Sequence, residues 1–109
     1  MKYEVKYSPQ SQRDLDEIWD YIKEELGNPS AAERVVGSIL DAVEQLEIFP
    51  NSGKLLDNIA PVEHNYRFLI CGNYLVFYRI YPNEVFVDRI LYGRRDYLRI
   101  LFADYQGTK

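Results

Sequence analysis

The sequence predicts an α+β fold: an N-terminal strand, then an antiparallel helical hairpin packed on one face of a mainly antiparallel four-stranded sheet, then a short C-terminal helix. Three observations predict it. Two amphipathic stripes at helical spacing lie next to each other, with only a cap and a turn between them. Three short apolar runs then follow, joined by turns too short for anything but antiparallel neighbours. One alternating run precedes all of them, giving the order β-α-α-β-β-β-(α).

The first run, Lys2 to Tyr7, puts Tyr3, Val5 and Tyr7 on one face, as a strand does. Ser8-Pro9 reads as an N-cap followed by proline at the first helical position. Leu15, Ile18, Trp19, Ile22 and Leu26 continue at helical spacing until Gly27, which suits a left-handed helix end. Asn28-Pro29 repeats the cap and start. Ala32, Val35, Val36, Ile39, Val43 and Leu46 form a second stripe that ends near Pro50. With so short a connection the helices form an antiparallel hairpin.

Residues 50–62 carry turn chemistry without a clear period and read as a loop. Strands are expected from about His64 to Ile70, Tyr74 to Tyr81 and Val85 to Tyr92, with turns at Gly72-Asn73 and Pro82-Asn83. Gly93 breaks the pattern, and Arg94 to Phe102 fits a last short helix. Each helix has one apolar face, so the hairpin covers one side of the sheet and leaves the other partly exposed. The expected organisation is one domain over 1–102 and a flexible tail over 103–109.

Composition excludes several classes. The 109 residues are 47% hydrophobic and 28% charged, as in an ordinary globular domain. One cysteine permits no internal disulfide, and with a single histidine it offers no structural zinc site. No metal and no cofactor are expected. No run approaches the roughly 18 apolar residues of a membrane span, and the first residues lack a signal-peptide apolar block. A cytoplasmic protein is the expectation.

The net charge of −4 conceals an asymmetry. Residues 1–65 hold 6 positive and 13 negative side chains, whereas residues 66–102 hold 6 positive and 3 negative. Every positive charge in the second segment is an arginine, whose planar fork suits carboxylate or phosphate. Two readings stay open. One is a sheet with local ion pairs to Glu84, Asp88 and Asp96; the other is a basic face for an anionic partner.

Local words add a resemblance over about residues 3–102. Asp14-Leu15-Asp16-Glu17-Ile18-Trp19-Asp20-Tyr21-Ile22 and Asn28-Pro29-Ser30-Ala31-Ala32 carry it on the helices. Leu46-Glu47-Ile48-Phe49-Pro50-Asn51-Ser52-Gly53 carries it at the end of the second. Tyr66-Arg67-Phe68-Leu69, Tyr74-Leu75-Val76-Phe77-Tyr78-Arg79-Ile80 and Arg89-Ile90-Leu91-Tyr92-Gly93-Arg94-Arg95-Asp96 carry it in the sheet. In this order they resemble the ParE/RelE superfamily of toxins from bacterial type II toxin–antitoxin modules. RelE-like members cut messenger RNA on the ribosome, and ParE-like members bind DNA gyrase and trap it on broken DNA. RelE-like enzymes commonly have an Arg before the Leu-Val-Tyr of the middle strand; here Tyr74 precedes Leu75-Val76-Phe77. The pattern resembles the ParE-like branch more closely.

The resemblance implies a toxin that inhibits growth through gyrase and a cognate antitoxin whose disordered acidic or amphipathic tail folds onto the hairpin and the sheet edge. The target-facing residues are taken as Arg94, Arg95, Tyr97 and Leu98. The alternative is a ribosome-dependent, metal-independent endoribonuclease acting on mRNA through Arg67, Arg79, Tyr92 and Arg95; a third is a non-toxic interaction module of the same fold. Attack by a ribose 2′-hydroxyl needs a base, an acid and positive charge at the phosphate. Arg67 and Arg79, on neighbouring strands, are each able to reach the exposed face. The base is the gap: tyrosine ordinarily titrates near pH 10, so Tyr92 or Tyr97 would need a strong downward shift, and His64 is the other candidate base. His64, Cys71, Trp19 and the ten tyrosines all have structural readings: a strand-start histidine, an inert turn thiol, core packing and good strand formers. Net acidity also suits a protein target better than the phosphate field of the ribosome.

Overall fold

Both helix starts form as the caps direct. In the computed structural model, which describes residues 2–56 and 66–93, Ser8 precedes helix α1 (Pro9–Asp20) and its Oγ accepts the Ser11 N–H at 2.9 Å. Asn28 precedes helix α2 (Pro29–Glu44), and its Oδ1 accepts the Ala31 N–H at 3.1 Å. Each cap satisfies one of the N–H groups a helix start leaves orphaned. The α-helical geometry of α1 stops at Asp20, earlier than the stripe suggests. Residues Tyr21–Glu25 form a wide π-type turn, in which the Leu26 N–H reaches back to the Tyr21 carbonyl at 3.2 Å. Gly27 then takes φ 61°, where a side chain would be strained, and the chain reverses into α2.

The sheet has five strands, not four. Strand β1 (Glu4–Tyr7) lies parallel to β5 (Glu84–Tyr92). Strands β3 (Tyr66–Cys71), β4 (Tyr74–Tyr81) and β5 form an antiparallel meander. The extra strand is β2 (Lys54–Leu55), inside the segment read as a loop; it pairs antiparallel with β3, Lys54 opposite Phe68 and Leu55 opposite Arg67. Two residues are too few to show a period of two, so the pattern could not reveal it. The spatial order is β1-β5-β4-β3-β2.

The main core lies between the hairpin and one sheet face. Ile18, Ile22, Ala32, Ile39, Val43 and Leu46 from the helical side meet Val76, Tyr78, Val85, Val87 and Ile90 from the sheet. The opposite face, expected to be partly exposed, carries a second buried cluster: Leu56, Tyr66, Phe68, Phe77 and Leu91. Strand β4 is therefore buried on both sides, with Val76, Phe77 and Tyr78 all inaccessible. Its unbroken apolar run from Tyr74 to Tyr78 is the pattern of a strand covered on both faces. The segments containing His64 and the expected C-terminal helix lie outside the described residues.

Candidate functional site

The sheet register decides which arginines can cooperate. Arg67 is paired with Tyr78, and Arg79 with Tyr66, so the two guanidinium groups project to opposite faces. Arg67 donates to the Gly53 carbonyl at 2.7 Å and to that of Asn51 at 3.3 Å, holding the turn beside β2. Its partner Tyr78 completes that anchor: the phenol donates to the Pro50 carbonyl at 2.8 Å and accepts the Gly53 N–H at 2.9 Å. Arg79 lies over the Tyr66 ring, 4.7 Å from its centroid, and the Tyr66 phenol donates to the Asp88 carboxylate. Tyr92 shares the face of Arg67 but pairs with Tyr74, four residues from Tyr78 along β4 and one strand further over. At standard strand spacing that is roughly 16 Å away. Arg67, Arg79 and Tyr92 are thus not brought together; Arg94, Arg95, Tyr97 and Leu98 lie outside the described residues.

The buried phenols are poor bases. Burial pushes Tyr66 far above its ordinary value, and the Asp88 carboxylate adds to the shift. Burial also raises Tyr78, Tyr74 and Tyr7. Cys71 is raised by burial as well, which keeps it a thiol, and its Sγ lies 3.6 Å from the Ser38 carbonyl. Among the described residues no group of three or more His, Cys, Asp or Glu is placed to hold a metal. None of their helices is long and apolar enough to cross a membrane.

One polar centre has no counterpart in the expectations. Asp14, nearly buried on α1, accepts Arg89 Nε at 2.8 Å and Arg89 Nη2 at 2.9 Å, and its Oδ2 also takes the Ile90 N–H at 2.9 Å. Arg89 is therefore paired with α1 and not with the sheet acids. The cause is topological. β1 accompanies β5 only as far as Val87, where Ser8 takes over: its N–H bonds the Val87 carbonyl at 2.9 Å and its hydroxyl the Asp88 carbonyl at 2.7 Å. Asp88 is an extra residue, since Tyr78 faces Val87 and Phe77 faces Arg89. Asp14 then serves the bared edge in place of the departed strand. A signal existed: Ser11, Asp14 and Ile18 recur at the spacing of the buried face.

Past Ile90 the outer edge of β5 faces a groove of about 700 Å3. Its walls are α1 and the wide turn on one side and the ends of β4 and β5 on the other; Glu17, Tyr21, Leu26, Tyr74 and Tyr92 line it. Tyr74 and Tyr92 meet edge to face, 5.6 Å between centroids. Tyr21 and Leu26 are exposed there, 52% and 59% accessible, although Ile18 and Ile22 in the same segment are buried. In this open groove apolar side chains and phenols lie beside Glu17 and the Asp14–Arg89 pair.

Comparisons with known proteins agree with this architecture. Residues 5–97 match the family model described as the ParE toxin of the type II toxin–antitoxin system parDE. Toxin ParE1 of Mycobacterium tuberculosis is 33% identical over 90 residues, covering 82% of this chain and 88% of that protein. Among solved structures, the chromosomal ParDE system from P. aeruginosa superimposes with a TM-score of 0.69 at 24% identity, over 84% of this chain and 96% of that one. The toxin–antitoxin complex RelBE2 from Mycobacterium tuberculosis gives 0.59 at 19% identity, over 84% and 99%. Those two structures speak for the fold alone, while the family match and the identity to Toxin ParE1 reach further. A hairpin on a mixed five-stranded sheet, matched from β1 past the end of β5, makes this chain a member of the ParE toxin family of type II toxin–antitoxin systems.

Proposed function

We propose that this toxin inhibits growth in the cytoplasm by binding DNA gyrase, without cleaving RNA, and that a cognate antitoxin neutralises it. The observation that carries the reading is the sheet register. It separates Arg67 from Arg79 and commits each to the fold, so the described part of the nuclease set forms no phosphate site. Binding a protein target needs no general base. Arg94, Arg95, Tyr97 and Leu98, which follow β5 directly, are the residues proposed to face the target. The antitoxin is assigned to the groove beside the part of β5 that β1 does not reach, where apolar side chains gather.

The test is a gyrase supercoiling reaction with the folded chain titrated in, read as relaxed and cleaved plasmid. Dose-dependent cleaved product is expected, abolished by the antitoxin encoded beside this chain and weakened about tenfold by Arg94→Ala with Arg95→Ala. No effect on gyrase, with messenger RNA cut in a ribosome-containing reaction, would replace this reading by the nuclease one.

A further inference from the structure

The antitoxin groove has a charge and an aromatic lining that together specify one feature of its occupant. Glu17 and Tyr21 stand one helical turn apart on the wall of the groove, facing Tyr74 and Tyr92. Three phenol rings thus line the groove, and two of them, Tyr74 and Tyr92, meet edge to face. Of the charges on the wall, Asp14 and Arg89 are spent on each other in a bidentate pair. Glu17 feels Arg89 at longer range but forms no ion pair among the described residues. The surroundings reinforce the negative sign: besides Asp14, residues 9–28 hold five acidic side chains against Arg13 and Lys23.

We infer that the groove takes an antitoxin segment that places one arginine or lysine among Tyr21, Tyr74 and Tyr92, with Glu17 as its counter-ion. The inference rests on the antitoxin reading of the groove and adds the chemistry of the occupant. Aromatic faces attract a cation through the ring quadrupole, and a guanidinium also stacks on them. The neighbouring apolar wall, Ile18, Ile22, Leu26 and Val35, accepts the aliphatic side chains on either side of that cation. An acidic segment, the other tail chemistry considered above, meets repulsion from Glu17 and finds, among the described residues of the wall, no cation but Arg89, which Asp14 holds. Electrostatic complementarity of this kind selects partners as well as strengthening them.

The experiment measures binding of the antitoxin encoded beside this chain at 50 mM and 500 mM salt, by titration calorimetry, with circular dichroism to verify that each variant is folded. Glu17→Lys is expected to weaken binding at least tenfold at 50 mM and far less at 500 mM, since screening removes the repulsion. Tyr92→Phe keeps the ring and is expected to bind within about twofold of the parent, whereas Tyr92→Leu loses about fivefold. Changing one basic residue of the antitoxin to Glu should restore binding to Glu17→Lys. Unchanged affinity of Glu17→Lys at 50 mM, or equal behaviour of the Phe and Leu variants, overturns the inference and leaves the antitoxin reading standing. If the unaltered chain binds no such antitoxin, both fall.

Discussion

A single carboxylate, Asp14, joins the helical hairpin to the sheet at the point where the sheet loses its edge strand. It accepts three hydrogen bonds, two from Arg89 and one from the Ile90 backbone, with 7% of its side chain exposed. Arg89 is itself only 23% exposed, so removing the acid leaves a poorly hydrated cation and an unpaired amide. Breaking such a pair from one side is more costly than the pair is worth, because the survivor stays buried. Asp14→Ala is therefore expected to destabilise the fold by about 3 kcal/mol. Asp14→Asn keeps an acceptor for Ile90 and should lose roughly half of that. Urea unfolding checks both, and an Asp14→Ala midpoint equal to that of the parent would show that the helix does not depend on this anchor.

At the scale of elements, the turns decide how the strands and helices meet. Gly53 precedes β2, and a methyl group there would collide with the Tyr78 phenol and come within 2.8 Å of the Phe68 carbonyl. Gly53→Ala must break the Tyr78 anchor or push β2 off β3, at an expected cost of about 2–3 kcal/mol. Gly27 makes a different demand: its surroundings are open, but its φ is 61°, so Gly27→Ala should cost only about 1 kcal/mol of backbone strain. Thermal melting of the two variants tests the ranking, and a Gly27→Ala loss exceeding that of Gly53→Ala would contradict it. These two glycines also mark what was legible in the sequence. Ser8-Pro9, Gly27 and Asn28-Pro29 have local meaning, so the hairpin could be read directly. β2 depends on β3, and the wide turn at Tyr21–Glu25 depends on how α1 ends against α2. Neither leaves a local period. The groove was hidden for the same reason, since it exists only where β1 stops short of the end of β5. The opposed faces of Arg67 and Arg79 follow from a one-residue register that strand assignment alone does not supply.

For the molecule as a whole, each of the two clusters on either side of β4 contains a buried phenol whose proton the fold holds. Tyr78 fills the core under the hairpin and Tyr66 the core on the other face, and both are inaccessible. Burial raises both above the ordinary 10.0, and raises Tyr7 and Tyr74 too. The sign follows from proton counting. Below the ordinary value both folded and unfolded chains keep these protons, and stability does not vary through them. Above 10.0 the unfolded chain releases them and the folded chain does not, so unfolding becomes easier as pH rises. Each fully held phenol then removes about 1.4 kcal/mol per pH unit. Cys71, raised from 9.0, adds a smaller loss that begins earlier. The urea midpoint should stay level from pH 7 to about 8.5 and fall steeply beyond about 10. Growing negative charge alone would produce some decline in a chain that already carries −4. Tyr66→Phe separates the causes: it removes one held proton without changing the charge of the chain at neutral pH. Its midpoint is lower at pH 7, because Asp88 loses a donor, yet it should fall less steeply above pH 10 than that of the parent. Parallel slopes for the two proteins would assign the alkaline loss to general repulsion and not to the phenols buried on the two faces of the sheet.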